Sequence, residues 1–377
     1  MKRNLVLIAL LSCFLYCCEE KPSIDPPPST HTLVKIDEYE IEIDSVTAGN
    51  FVHYQRVVDG DREYLTFLNR VNQEINAYDL QTKKLAFKIP LHYNGPHSVG
   101  TLKGFNSGYY IHNLDSIFVL NRRAQALFLI NRQSELLAKF DISRPGKGPS
   151  GVIAPFAPMH VQGDKAFLLN IQSAISHFSR NRSYDTHYAT MLDLEGAQPT
   201  YFLSYPEKYT KGAWGIDLHR ITWTYNEQRK SFMVSYAIDD VIYEIDTRGG
   251  LIGTHDPQSR LVQNLRSIKK SEKEARARRN YYLMQDKYGQ LFYDPHRQVY
   301  LRDHYQALSE QDIINQTAKS YNRNWVILDK NLKQIGMMPE TSFDIGRMFF
   351  NEQGIHKYIA TDNEDVLKFE VYELKKL

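Results

Sequence analysis

Apolar and polar positions alternate over short stretches along most of this chain, and the stretches recur. Residues 63–80 (EYLTFLNRVNQEINAYDL) and 115–132 (DSIFVLNRRAQALFLINR) superpose at a shift of 52, placing Leu68 on Leu120, Asn69 on Asn121, Arg70 on Arg122 and Gln73 on Gln125. Farther on, Gln81, Leu85 and Ala86 fall on Gln133, Leu137 and Ala138. Each copy predicts strand, polar turn, strand, polar turn, strand, with the continuous apolar runs of strands packed between sheets. Weaker copies follow. Residues 165–170 and 187–192 predict two strands joined by a long polar connection, and 231–236, 241–245 and 251–255 predict three more. Residues 298–305, 324–329 and 334–338 form another unit, and 355–361 with 366–374 form the last.

A single such unit cannot bury both of its faces, so units must stack, and a closed ring removes the exposed ends of the stack. The expectation is an all-β fold, a six-bladed β-propeller counted from about residue 46. The last unit is one strand short, and residues 34–43 (VKIDEYEIEI) alternate as a strand with no unit of their own. That strand is expected to complete the sixth blade and close the ring; a seven-bladed ring, with the segment opening its own blade, is the alternative. A helical insertion interrupts the repeat near 258–280. Leu261, Val262, Leu265 and Ile268 have helical spacing, followed by a highly charged turn to Arg279. A solvated helix packed by its four aliphatics is expected; a basic arm for an anionic partner or membrane headgroups is the other use. Residues 306–319 predict a second helical insertion.

The amino terminus is organised differently. Lys2 and Arg3 precede an almost wholly apolar run, Leu5 to Tyr16. Twelve helical residues rise only about 18 Å, short of the roughly 30 Å hydrocarbon core, so the run predicts an export signal and not a span. Leu15-Tyr16-Cys17-Cys18 resembles the lipobox of bacterial lipoproteins, although Tyr16 is bulkier than the residue usual there. The resemblance implies a signal peptide over 1–17 and lipidation of Cys18. Cys13 is a rival acceptor that would shorten the apolar run. Glu19-Glu20-Lys21 is similar to the surface-export signal of Bacteroidota lipoproteins, or is simply a solvated tether. Pro22, Pro26, Pro27 and Pro28 make residues 18–31 a stiff linker to a single propeller domain at 32–377. Membrane attachment through lipid alone, in an outer-membrane lipoprotein facing the periplasm or the cell surface, is the localisation this implies.

Composition narrows the chemistry. The chain carries 46 Lys+Arg against 44 Asp+Glu, and loss of Lys2 and Arg3 with the signal leaves 44 against 44. Nothing here predicts a nucleic-acid partner. All three cysteines (Cys13, Cys17, Cys18) lie in the first eighteen residues, which removes thiolate chemistry from the propeller. No metalloprotease helix, nucleophile elbow or dinucleotide fingerprint occurs. His92 with His97, and His296 with His304, lack the spacing of a preformed metal site. Asp79, Asp239, Asp240, Asp246, Asp294 and Asp329 occupy turn positions, where bonding to the local backbone explains most of them. No cofactor, metal or catalytic residue is therefore expected.

The run Ser143-Arg144-Pro145-Gly146-Lys147-Gly148-Pro149, echoed by Asn94-Gly95-Pro96-His97, is similar to the inter-blade signature of six-bladed, TolB-like propeller lipoproteins of Bacteroidota, a group described only as domains of unknown function. Ser150 and Gly151 depart from the glycine and acid usual after it. The resemblance implies fold and envelope location and supplies no activity. Loops that break the repeat are the functional candidates. Residues 205–223 hold Tyr205, Tyr209, Trp214, His219 and Trp223 with Lys208, Lys211 and Arg220. Aromatic platforms beside hydrogen-bonding groups suit sugar rings or peptides. The candidate ligand contacts are Trp214, Tyr209 and His219, joined by His97, Arg144 and Lys147 of the glycine-proline loops; Trp223, alternating with Ile221 and Tyr225, is expected in the core between blades, and the core is the open alternative for Trp214. The leading functional expectation is a non-enzymatic binding or scaffold module for a peptide, protein or glycan. A polysaccharide- or lactone-acting hydrolase or lyase, working at the channel mouth, is the alternative.

Overall fold

The computed structural model describes residues 26–377 apart from 45, 48–52, 103–106, 145–147, 150, 171–186, 197, 270, 272–273, 316–320 and 341–346. Six four-stranded antiparallel sheets succeed one another along the chain. Blade one comprises Tyr54–Asp59, Arg62–Asn69, Glu74–Asp79 and Lys84–Pro90, from the ring interior outwards, and blade two comprises Ser107–Asn113, Ser116–Asn121, Ala126–Ile130 and Leu136–Asp141. Blade three runs through His160–Gln162, Lys165–Leu169, Ala189–Asp193 and Thr200–Phe202. Blade four runs through Ile221–Asn226, Ser231–Tyr236, Ile242–Asp246 and Leu251–His255. Blade five holds Lys287–Asp294, Val299–Gln306, Asn322–Leu328 and Gln334–Glu340. Blade six holds Met348–Phe350, Ile355–Ile359 and Val366–Lys376, with His31–Glu42 as its outermost strand. The fold is the six-bladed propeller.

The closing strand pairs His31 with Lys376 through to Glu42 with Val366, with a register shift between Lys35 and Asp37. Its inward positions are apolar for that reason: Ile41 is fully buried opposite Leu367, and the Tyr39 ring stacks on Phe369. Side chains also stitch neighbouring inner strands. Gln55 donates to the Ile111 carbonyl and accepts from the Ile111 amide, both at 2.8 Å, joining blades one and two. The Tyr54 hydroxyl donates to the Met348 carbonyl at 3.0 Å between blades one and six, and Thr222 donates to the Gly289 carbonyl at 3.3 Å between blades four and five. Each such bond occupies a backbone group that the end of a sheet would otherwise leave open.

The insertion differs from its sequence expectation. The helix occupies only Ala275–Leu283, and residues 256–269 form an irregular strap. The four aliphatics do pack, Val262 and Ile268 buried and Leu261 and Leu265 partly so, against the core of blades three and four. The strap does not coil because it enters with Gln258 and Arg260 at φ 64° and 49°, a conformation no helix accepts. Side chains from elsewhere satisfy its amides. The buried Asp286 carboxylate accepts from Gln263 and Asn264, Gln285 accepts from Arg266, and Asp240 accepts from Leu261. The second insertion contains the short helix Glu310–Ile314, capped by the Ser309 hydroxyl accepting from the Asp312 amide at 3.1 Å.

Candidate functional site

Residues 203–220, the connection into blade four, fold back as two 3-10 turns, Glu207–Lys211 and Ile216–His219. Tyr209 is fully buried, donates its hydroxyl to the Leu218 carbonyl at 2.9 Å and lies 4.4 Å from the Tyr205 ring. Trp214 is 8% exposed and donates its indole N–H to the Tyr209 carbonyl. Both proposed platforms are thus core side chains, because the connection is long enough to bury its own aromatics. Trp223 is core as well, stacked on Phe232 at 4.5 Å with its N–H on the Pro158 carbonyl. Gly215 brings the backbone so close to the Tyr282 hydroxyl that a Cβ there would collide with it.

What the connection leaves open is a pocket of about 230 Å³, lined by Val152, Phe156, Leu169, Asn170, Tyr205, Ile216, Asp217, His219, Arg220 and Ile221. Its walls are mainly apolar and its polar groups are few, the usual constitution of a ligand site. Asn170 is buried, and its Oδ1 accepts from the Gly151 amide and the Thr190 hydroxyl. Its amide nitrogen is buried and has no hydrogen-bond partner among the described residues. His219 fixes its ring by Nδ1 to the Gly215 carbonyl at 3.0 Å.

Behind Asp217 lies a buried cation. Lys287 opens the inner strand of blade five, its side chain 9% exposed and 4.0 Å from the Asp217 carboxylate. Its ammonium donates to the Tyr321 hydroxyl at 2.9 Å and lies 4.5, 5.6 and 5.7 Å from the Tyr321, Tyr305 and Tyr282 ring centroids. Burial lowers its pKa to about 8, with Asp217 opposing and Arg220 reinforcing the shift. Beside it, the fully buried Asp303 pairs with Arg323 at 3.2 Å. Arg302, buried between blades four and five, donates to Ser235 Oγ and to the Asp239 and Asp240 carbonyls, and lies 3.4 Å from the Tyr288 ring centroid.

The other sequence candidates lie elsewhere. Arg144 donates to the His187 carbonyl and lies over the Tyr201 ring at 4.8 Å. His97 is exposed, accepting from the Leu136 amide. Lys147 and Cys18 are outside the described residues. His296 and His304 sit in the first turn and near the far end of one strand of blade five, so they share no site. The turn aspartates are spent on structure: Asp79 accepts from Gln81 and Thr82, Asp246 from Arg248 and Gly250, Asp294 from His296 and Arg297, and Asp329 from Asn331 and Lys333. Among the described residues no group of three or more His, Cys, Asp or Glu side chains is placed to hold a metal ion.

A larger cleft, about 730 Å³, lies at the seam of blades six and one. Two of its ionisable groups are already bonded: Glu63 pairs with Arg56 and accepts from Asn351, and His356 bridges Tyr39 and Asn351. Asp217, Lys287 and the three tyrosines were not singled out from sequence. The available signal was Arg302-Asp303-His304, three ionisable residues in succession inside an otherwise apolar strand.

Comparison with known proteins places this architecture. The domain of unknown function DUF4221 matches residues 30–336. The chain is similar in structure to a member of that family from Bacteroides vulgatus, with TM-score 0.76 and 18% identity over 93% of this chain and 100% of the other. It is also similar to a Bacteroides fragilis protein named as exported, with TM-score 0.54 and 11% identity over 93% and 97%. A virginiamycin B lyase from Staphylococcus aureus aligns with TM-score 0.41 and 10% identity over 90% and 99%, too distant to carry an argument. No curated protein matches. The chain belongs to the DUF4221 family.

Proposed function

We propose that this DUF4221 protein is a lipid-anchored binding module of the cell envelope and that its ligand enters the pocket beside Asp217, His219 and Arg220. The observation that carries the reading is the pocket itself, apolar walls with a few convergent polar groups and one buried amide donor with no partner among the described residues. The turn aspartates that a hydrolytic reading would use are taken up by backbone amides. The anchor rests on the basic start, the apolar run and Cys18 ahead of a proline-rich linker.

Two experiments test it. The exported portion, immobilised and exposed to envelope extract, should retain a partner that an Ile216→Asp variant of equal melting temperature releases. Equal retention by both, or none by either, overturns the pocket as the site. Cys18→Ser should move the protein from the membrane to the soluble fraction; if Cys13→Ser does so and Cys18→Ser does not, the processing site is the earlier cysteine.

A further inference from the structure

We propose that the pocket takes an uncharged ligand, one large apolar group beside a carbonyl oxygen, as an internal aromatic or aliphatic residue of a peptide presents them, with Asn170 donating to that oxygen. The inference rests on the pocket being the binding site and adds the chemistry of what it takes. Asn69, Asn121 and Asn170 occupy one place in the repeat, at the end of the second strand of blades one, two and three, and all three are buried. In blades one and two the side-chain amide is a staple. Asn69 Nδ2 donates to the Val46 carbonyl at 3.1 Å and Asn121 Nδ2 to the Val99 carbonyl at 2.9 Å, tying down the connection that enters each blade. Blade three turns the same group round. The Gly151 amide of its incoming connection can only donate, so Asn170 meets it with Oδ1 at 2.9 Å, and the Thr190 hydroxyl donates to the same oxygen at 3.0 Å. Nδ2 is released from the staple, is buried, and has no partner among the described residues, on a side chain that lines the pocket.

The rest of the lining sets the charge and the body of the ligand. Asp217 and Arg220 bring opposite charges, so an ion entering the pocket would give up its hydration for no net attraction. Val152, Phe156, Leu169, Ile216 and Ile221 supply methyl groups and a ring, and a volume of about 230 Å³ suits one large apolar side chain. A sugar ring would bring several hydroxyls to walls that are mainly apolar. A residue inside a peptide chain brings the apolar side chain and one carbonyl for the Asn170 donor, with no charge.

NMR titration of the exported portion tests the inference with the capped peptide acetyl-Gly-Gly-Phe-Gly-Gly-amide and with the same peptide carrying Glu or Lys at its centre. The uncharged peptide should bind about tenfold more tightly than either charged one, and Ile216→Asp should abolish its binding. Acetophenone and ethylbenzene, alike in size, isolate the carbonyl without any variant. Water holds acetophenone the more strongly, so only a donor in the pocket lets it bind the tighter of the two, by about fivefold. Asn170→Asp keeps the oxygen that Gly151 and Thr190 use and replaces the donor with an acceptor, and it should reverse that order. Tighter binding of ethylbenzene to the unaltered protein overturns the Asn170 donor whether or not the variant folds. Equal binding of the charged and uncharged peptides, lost in Ile216→Asp, overturns the uncharged ligand and leaves the pocket standing. Binding of methyl β-glucoside in place of the peptide overturns the apolar body. Binding of none of the probes overturns the inference, while the extract experiment still judges the pocket.

Discussion

Blades one and two are built alike, and blades four and five are not. The first pair shares the turn at Gln73 and Gln125 and a core of small and medium apolar side chains such as Val57, Ile75, Val119 and Ile130. Its junction is held mostly by neutral groups: the Gln55 amide meets Ile111, and the Thr66 and Tyr109 hydroxyls meet at 2.8 Å, with Arg70 also donating to the Ser107 carbonyl at 3.3 Å. The second pair buries Arg302, Asp303, His304 and Lys287, and adds the strap and the helix. A stacked repeat needs only to cover its faces. Buried charge is costly and is tolerated where paired or hydrogen-bonded, so its concentration at one arc of the ring marks where the fold does more than close.

The largest expected effect tests that contrast at its two junctions. Arg302→Met removes the donor to the Asp239 and Asp240 carbonyls and leaves them buried, a loss of about 3–5 kcal/mol. Gln55→Met removes two neutral bonds at the other junction, a loss of about 1–2 kcal/mol. Denaturant unfolding at constant slope measures both. If the two costs are equal, the junction built on Arg302 is no more critical than the one built on Gln55.

Acid should reverse the ranking. Each half buries a histidine, His53 ahead of blade one and His304 in blade five. Burial lowers both pKa values. The Arg70 charge reinforces this at His53, to about 4, whereas the Asp286 carboxylate opposes it at His304. A histidine whose folded pKa lies below its unfolded value of about 6.5 leaves stability intact above that pH. As pH falls the unfolded chain takes the proton first, so stability drops between 6.5 and 4, by about 3 kcal/mol for His53. His53→Gln should flatten the acid limb of the stability–pH curve more than His304→Gln does. The opposite order would place the acid-sensitive group in the elaborated arc.

Much of the ring was legible because repetition needs no partner to be recognised. The 52-residue shift maps directly onto blades one and two, and alternation in residues 34–43 falls on the strand that pairs with Val366–Lys376. The strap was read as a helix because Leu261, Val262, Leu265 and Ile268 have the spacing of one, and spacing is silent about side chains such as Asp286 that arrive to satisfy an extended backbone. Tyr209 and Trp214 were read as platforms because a long connection usually lies on the surface; this one folds on itself. Lys287 escaped notice because its setting is made by Tyr282, Tyr305 and Tyr321, three segments that meet only in the fold.

The smallest effect lies inside the repeat and shows how far the likeness of blades one and two extends. Gln73 and Gln125 occupy the same turn, at φ 54° and 51°, where glycine is the residue without a steric penalty. Backbone geometry alone would make glycine an improvement at both. Gln73, however, is buried; its amide donates to the Leu91 and Gly100 carbonyls at 2.7 and 2.9 Å and accepts from the Leu102 amide at 2.9 Å, fixing the connection into blade two. Gln125 is exposed, so it keeps the strain without those bonds. Gln73→Gly should therefore cost about 2 kcal/mol. Gln125→Gly should gain about 0.5 kcal/mol, the relief of the turn less the added freedom of the unfolded chain. Thermal unfolding of the two variants gives opposite signs if the side chain decides at residue 73. The same sign at both positions would mean that the turn decides, and that the first two blades are equivalent in energy as well as in shape.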